Sequence, residues 1–315
     1  MPGRRIPRWG TNAELTKRHC CQRGGVNVTG SPSGSRTTVA SVIAPEISVV
    51  VPTRNRPDSL RRCLSALSAQ TAGDALEIVV VDDGSDEAEL VASVVREALG
   101  ARLVRESGRG PGAARNAGVR AASGAVICLT DDDCEPEPGW AEAMAEVVRA
   151  GADVVAGETH DAPPSRYEAA SRVVTRSIAS GARMPFAASN NVAATAQLLE
   201  ELPFDELYAD AAGEDRDWCA RLVAHGYGIA RAPARVVHHQ PPTLGGYLGR
   251  HARYGRGAFR YHRAGRRPQP FERPRFYARL VGAGFRQGPA VGLLVGLAEL
   301  ATVYGYAREA FARRG

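Results

Sequence analysis

Through the first half of the chain, short apolar runs alternate with amphipathic stretches, and the runs end in polar or acidic residues. Ile47-Ser-Val-Val-Val-Pro52 is the first run, and Thr53-Arg-Asn-Arg-Pro57 is its polar end. Runs of this length bounded by turn signals predict strands inside a sheet. Pro57 and Asp58 then predict a helix start, with Leu60, Leu64 and Leu67 on one face. Glu77-Ile-Val-Val-Val-Asp-Asp83 predicts the second strand, Gly84-Ser85-Asp86 a turn, and the residues to about Leu99 a helix. Ala101 to Arg105 predicts the third strand. The glycine-rich loop Ser107-Gly-Arg-Gly-Pro-Gly112 leads into a helix holding Ala114, Arg115 and Asn116. Ala125 to Leu129 predicts the fourth strand, which runs into Asp131, Asp132 and Asp133.

This rhythm predicts an α/β fold with a doubly wound, mostly parallel sheet and right-handed crossovers. Such sheets bind ligands outside the carboxyl ends of their strands. Thr53, Asn55, Asp82, Asp83, Asp131 and Asp133 all fall at such ends. Further on, Pro138 opens a helix with Trp140, Met144 and Val147, and Ala152 to Ala156 predicts a fifth strand. The alternation then breaks. A helix is expected near 167–179, while Ser189-Asn-Asn-Val192 reads as a mixed segment. Glu214-Asp215 precedes a helix with Trp218, Leu222 and Val223, and Arg235 to His239 predicts a strand. Beyond residue 241 the chain reads as helical, with Arg250, Arg253, Arg256 and Arg260 on one face. Pro289 opens an apolar run to Tyr306, interrupted by Glu299. Residues 1–45 lack a sustained apolar period and are expected to form a disordered tail.

The 315 residues suit one large α/β domain with appendages. The net charge of +6 is nearly all arginine, since Lys17 is the lone lysine. From Arg250 onward arginines far outnumber the acids Glu272, Glu299 and Glu309. That basic region suits a membrane surface or an anionic substrate. No zinc-finger spacing or RNA-binding signature is present, so no nucleic-acid partner is expected. The six cysteines lack CxxC spacing, and the N-terminus has no apolar h-region. Reduced thiols and a cytoplasmic location are the expectation, with peripheral contact at the inner face of the membrane through 241–315.

Three consecutive carboxylates repel one another. A divalent cation carrying a charged substrate would offset that repulsion; a solvated acidic turn is the plainer alternative. His238 and His239 are adjacent in a strand, so they face opposite ways. A rival pattern is Gly108-Arg-Gly-Pro-Gly-Ala113, which fits the dinucleotide fingerprint of an oxidoreductase through Gly108, Gly110 and Ala113. Pro111 inside the turn and the position after the third strand speak against it. It also leaves Asp83, Asp132, Asp133, Glu214 and Asp215 unexplained.

Ser48-Val-Val-Val-Pro-Thr-Arg-Asn-Arg-Pro57, Ile78-Val-Val-Val-Asp-Asp-Gly-Ser85, Ala114-Arg-Asn-Ala-Gly118, Asp131-Asp-Asp133 and Gly213-Glu-Asp215 occur in this order. Together they resemble family 2 glycosyltransferases over roughly 47–240. The resemblance implies the GT-A fold and inverting transfer of a sugar from a nucleoside-diphosphate sugar to a hydroxyl acceptor. It divides the chain into a catalytic domain over 46–240, with a nucleotide-sugar half at 46–135 and an acceptor half at 136–240, and C-terminal helices over 241–315. It implies Mn²⁺ or Mg²⁺ held by Asp131, Asp133 and His238, with His239 the next candidate. Pro52, Thr53, Asn55, Asp82, Asp83, Arg115, Asp131 and Asp132 would bind the nucleotide sugar, with Arg115 reaching the diphosphate or base. Asp215 would be the catalytic base, and Glu214 would hold the acceptor or orient Asp215. A saccharide or lipid-linked acceptor in cell-envelope synthesis is the family-level expectation. A GT-A protein that binds but does not catalyse is the second alternative.

Overall fold

The computed structural model describes residues 45–312 apart from 99, 163–164, 182–184, 210–211, 240–242 and 266–271. The expected tail over 1–45 lies outside the described residues, Pro45 excepted.

The first strand, β1 (Ile47–Thr53), is buried along its whole length. Pro57 begins α1 (Pro57–Ser68), where its missing N–H breaks no helix bond. Then follow β2 (Leu76–Asp83), α2 (Ala88–Glu97), β3 (Ala101–Glu106), α3 (Pro111–Ala121) and β4 (Val126–Thr130). These four strands are parallel, in the order β3-β2-β1-β4. The chain first winds outward from β1 to β3 and then returns to the other side of β1. The β1/β4 boundary is therefore a topological switch point, where a crevice opens at the strand ends. Pairing of β1 with β4 ends at Val50↔Leu129, whereas pairing with β2 continues to Thr53↔Asp82. Pro52 sits where the β4 ladder has already stopped.

The second half runs β5 (Cys134–Pro136), α4 (Trp140–Arg149), β6 (Val154–Ala162), α5 (Arg166–Gly181), β7 (Asn191–Thr195), α6 (Ala196–Glu201), α7 (Glu214–Ala224) and β8 (Ile229–His239). The described residues form one eight-stranded mixed sheet, β3-β2-β1-β4-β7-β6-β8-β5. The segment read as mixed around Asn191 is thus a central strand, antiparallel to both β4 and β6. Its Asn191, Ala193 and Ala194 have little β-propensity of their own, and burial between two partners makes it a strand. The strand expected at 235–239 begins six residues earlier, at Ile229. Pro233 argues against a strand by local rules, but it lies on the exposed side while Ala232, Ala234 and Val236 are buried.

One apolar cluster, with Leu60, Val91 and Trp140, covers one face of the sheet. Another, with Ala114, Ala117, Trp218 and Leu222, covers the other. A third joins α5 to the C-terminal helices α8 (Leu244–Arg263), α9 (Pro274–Gln287) and α10 (Pro289–Ala312). The described residues form one compact unit. The last helix runs beyond the apolar stretch ending at Tyr306. Glu309 on its final turns is buried, 3.1 Å from Arg256 Nε and 2.8 Å from Arg260 Nε.

Candidate active site

The crevice is built first from β1. Thr53 Oγ1 donates to Asp132 Oδ2 at 2.8 Å, a bond that crosses the switch point. Burial pushes the Asp132 carboxyl up to about 7, against the pull of Arg56. Asn55 has φ 56°, and it is the one non-glycine residue with positive φ among the described residues. Asparagine tolerates that conformation when its side chain bonds locally. Here Asn55 Nδ2 donates to Asp86 Oδ2 at 2.9 Å, and Asp86 N–H donates to Asn55 Oδ1 at 2.8 Å. The loop after β1 is thereby braced against the turn after β2. In that turn Asp82 Oδ1 accepts from Ser85 N–H at 2.9 Å. Asp83 Oδ2 accepts from Gly110 N–H at 2.9 Å, while its Oδ1 is buried without a hydrogen-bond partner. Burial raises the Asp83 carboxyl despite the backbone N–H groups of Gly110 and Arg109. An orphaned acceptor at a strand end fits an N–H of a nucleobase.

The acidic run follows β4. Asp131 lies 2.5 Å from Arg115 Nη2, while Arg56 Nη1 lies 3.2 Å from Asp132 and 3.0 Å from Asp133. Repulsion among the three acids is thus offset by two guanidinium groups belonging to the chain itself. The pairing Cys134↔His238 between β5 and β8 brings His238 Nε2 within 3.6 Å of Asp133 Oδ1. Strand alternation sends His239 elsewhere, and its Nε2 lies 2.8 Å from Glu135. Burial would raise Asp133, but the hydrogen bond and charge of His238, with Arg56, hold it below the usual carboxylate range. The expected ligand set Asp131, Asp133 and His238 is not gathered into one group. Among the described residues no cluster of three or more His, Cys, Asp or Glu is arranged to hold a metal. Asp131 Oδ1 accepts instead from Arg115 Nη2. The pair of Asp133 and His238 still fits a divalent cation whose remaining ligands come from substrate phosphate and water.

Arg115 is 2% exposed, so the guanidinium expected to reach the diphosphate lies inside the protein. Its Nη1 is 2.9 Å from Glu214 Oε1, and it lies over the Phe204 ring, which stacks on Trp218. Arg115 therefore bridges the acidic run to the first turn of α7. Gly213, with φ 116°, turns the chain into that helix so that Glu214 and Asp215 both enter its first turn. Glu214, expected to hold the acceptor or orient Asp215, is buried. Burial and the neighbouring Asp215 push it up to about 7, and Arg115 pulls the other way. Asp215 keeps part of its surface in solvent, and its Oδ1 accepts from Arg216 N–H at 2.7 Å. Burial raises its carboxyl above the ordinary value. A raised carboxylate open to solvent suits proton transfer.

The glycine-rich loop does not form a dinucleotide cradle. A Cβ on Gly110 would fall 1.9 Å from the Ala209 carbonyl oxygen, and one on Gly112 would lie 3.3 Å from that of Asp205. The N-terminus of α3 is therefore covered by chain, where a pyrophosphate would have to sit. Asn116 fastens that cover, donating from Nδ2 to the Phe204 carbonyl at 2.9 Å and accepting Phe204 N–H at 2.9 Å. Neither this role nor the pairing of Arg56 with the acids is readable from local spacing, because both partners lie far away in sequence. The signal that existed was Asn116 inside the motif that carries Arg115.

Residues 48–193 match the model of glycosyl transferase family 2. The chain is 28% identical to glycosyltransferase AglE of Haloferax volcanii over 68% of this chain and 73% of that protein. It is 30% identical to the pre-mycofactocin glycosyltransferase of Mycobacterium tuberculosis over 68% of this chain, but spans less than half (47%) of that protein. Among solved structures it resembles the mannosyltransferase PcManGT from Pyrobaculum calidifontis, in complex with GDP-Man and Mn²⁺, with a TM-score of 0.56 and 22% identity, over 82% of this chain and 74% of that one.

Proposed function

The chain belongs to glycosyl transferase family 2 and has a GT-A-type glycosyltransferase fold, and from that premise we propose that it transfers a sugar with inversion from a nucleoside-diphosphate sugar to a hydroxyl acceptor, with Mn²⁺ or Mg²⁺ as cofactor. The observation that carries this is the Arg115 bridge between Asp131 and Glu214. It joins the acidic run of the nucleotide-sugar half to the carboxylate pair of the acceptor half. The shared fold of a structure solved with GDP-Man and Mn²⁺ supports the same donor chemistry.

In this reading Pro52, Thr53, Asn55, Asp82, Asp83 and Asp132 line the nucleoside pocket, and Asp83 Oδ1 accepts a base N–H. Asp133 and His238 would hold the cation, with Asp131 beside them. When bound, the cation neutralises charge that grows on the leaving diphosphate. Asp215 takes the proton of the acceptor hydroxyl as that oxygen attacks the anomeric carbon. Glu214 and Arg115 fix the first turn of α7, so Glu214 positions Asp215 and leaves acceptor contact to others. The test is a panel of nucleotide sugars with Mn²⁺, with nucleoside-diphosphate release and product anomeric configuration as readouts. No release from any donor, or retention of configuration, sinks the proposal.

The acceptor is read as a saccharide or lipid-linked molecule met at an anionic membrane surface, with envelope assembly as the setting. Helix α10 is long and apolar enough to cross a membrane, yet one third of its apolar window is buried in the fold. Its other face exposes Leu293, Leu297, Leu300, Tyr304 and Phe311, spaced as one helical stripe. The exposed Arg275, Arg279 and Arg286 of α9 and Arg308 of α10 supply positive charge alongside. A packed face with an apolar outer stripe and arginines fits interfacial docking, not spanning.

A further inference from the structure

We propose that Arg250 and Arg253 of α8 form an anion site that receives a phosphate group of the substrate, at the edge of the acidic run. The proposal deepens the donor reading above and rests on it.

One stripe of α8 contains Arg250, Arg253, Gly257 and Arg260, which recur at helical spacing. Two of these four define where the stripe runs. Arg260 Nη1 donates to the Leu207 carbonyl at 2.7 Å. Gly257 lies against Ala212, whose carbonyl oxygen would be 1.4 Å from a Cβ at that position. The stripe therefore follows the segment that leads into Gly213, Glu214 and Asp215. One turn further, Arg253 comes within electrostatic reach of Arg56 and Asp133. Another part of the helix surface is committed to α10, with Gly255 against the Thr302 backbone.

The pairing of the arginines divides along the helix. Arg256 and Arg260 share the buried Glu309. Arg250 and Arg253 make no ion pair with a carboxylate among the described residues. Arg250 is 8% exposed, and its Nε and Nη2 are buried without hydrogen-bond partners. A guanidinium stays charged at any working pH, so two orphaned donors on it are costly unless a ligand fills them. Arg253 lies at the exposed rim. Desolvation and the like charges of Arg56 and Arg250 lower it from its ordinary value, with Tyr254 and then Asp133 opposing. An uncompensated pair of guanidinium forks beside a carboxylate site suits a phosphate, which each fork can bind through two hydrogen bonds. The phosphate can come from the leaving diphosphate of the donor or from a phosphorylated acceptor.

The test measures binding to the full chain with Mn²⁺ present, using GDP, UDP and inorganic pyrophosphate, and separately undecaprenyl phosphate against undecaprenol in detergent. The variants are Arg250→Gln, Arg253→Gln and the charge-keeping Arg250→Lys, with Arg263→Gln at the exposed end of α8 as control. Melting curves confirm that each variant is folded. If the phosphate is the donor's, both Gln variants weaken the nucleoside diphosphate by about tenfold or more, Arg250→Lys falls between, and the control is unchanged. If it is the acceptor's, nucleoside-diphosphate binding holds while the preference for undecaprenyl phosphate over undecaprenol collapses. Wild-type affinity in folded Gln variants for all of these ligands overturns the site and leaves the donor reading intact. A wild type that binds neither GDP, UDP nor pyrophosphate overturns both.

Discussion

Arg115 is the residue on which the two halves of the site meet. It is buried with carboxylates on both sides, Asp131 and Glu214. Arg115→Met should strand the buried Glu214 and the half-buried Asp131 and cost about 3–5 kcal/mol in urea unfolding. Adding Glu214→Gln should restore part of that loss; an unaltered midpoint in the single variant would show that the bridge is not structural. Asp215 has a different task. Asp215→Asn should leave nucleoside-diphosphate affinity near wild type and lower turnover by about two to four orders of magnitude. Near-normal turnover would remove Asp215 as the base. One pH-dependent contribution belongs to Glu214: its carboxyl, faced by Arg115, Asp215 and Asp131, stands at about 7 against an ordinary 4.5. A carboxyl raised on folding stabilises the fold fully below its unfolded value, and that contribution is lost as pH rises through the folded value. Wild-type stability relative to Glu214→Gln should therefore fall between pH 5 and pH 8, by on the order of 3 kcal/mol at most. A pH-independent difference would contradict this.

At the scale of elements, α3 carries the site because its N-terminus is closed. The loop before it holds Asp83 through Gly110 N–H and touches Ala209, while Asn116 clamps the Phe204 segment. Gly110 has φ 97° and no room for a Cβ. Gly110→Ala should cost about 1–3 kcal/mol from backbone strain and displaced chain, and it should loosen nucleoside binding through Asp83. Unchanged melting and unchanged binding together would show the close approach to be dispensable. The pattern of apolar runs outlines β1, β2 and β4 well, since each is a short, largely buried stretch with a turn signal after it, whereas the edge strand β3 is only half-buried. It fails at β7 and over the first half of β8. There Ala, Asn and Pro carry little strand preference, and only neighbouring strands impose the conformation.

The whole molecule sets where the chemistry happens. Three helices beyond the strands pack with α5 and present an apolar stripe on α10 beside exposed arginines. The protein should co-sediment with vesicles containing anionic lipid and be released by high salt, because screening weakens surface charge attraction. Leu300→Glu with Tyr304→Glu should abolish that binding while leaving melting near wild type, since both side chains are exposed. Sedimentation with neutral vesicles that resists salt would indicate insertion, and no sedimentation would remove the membrane from the account. Self-association through the stripe would appear as a concentration-dependent mass that the same double variant lowers.

What the sequence by itself determined is the series of β1 to β4 with polar or acidic residues at their ends, and the order of motifs that marks the family. Those features are local: a run of valines, a proline at a helix start and three aspartates are each visible within a dozen residues. Tertiary structure alone decided how the acids are neutralised. Arg56 meets Asp132 across 76 positions and Arg115 meets Glu214 across 99, and no periodicity encodes such pairs. It also decided that Asp131 pairs with Arg115, that Glu214 is buried while Asp215 keeps some solvent, and that Arg250 is left with open donors. Charge and burial are properties of the assembled neighbourhood. A carboxylate or guanidinium acquires its role from partners that folding brings to it, which its own stretch of chain does not name.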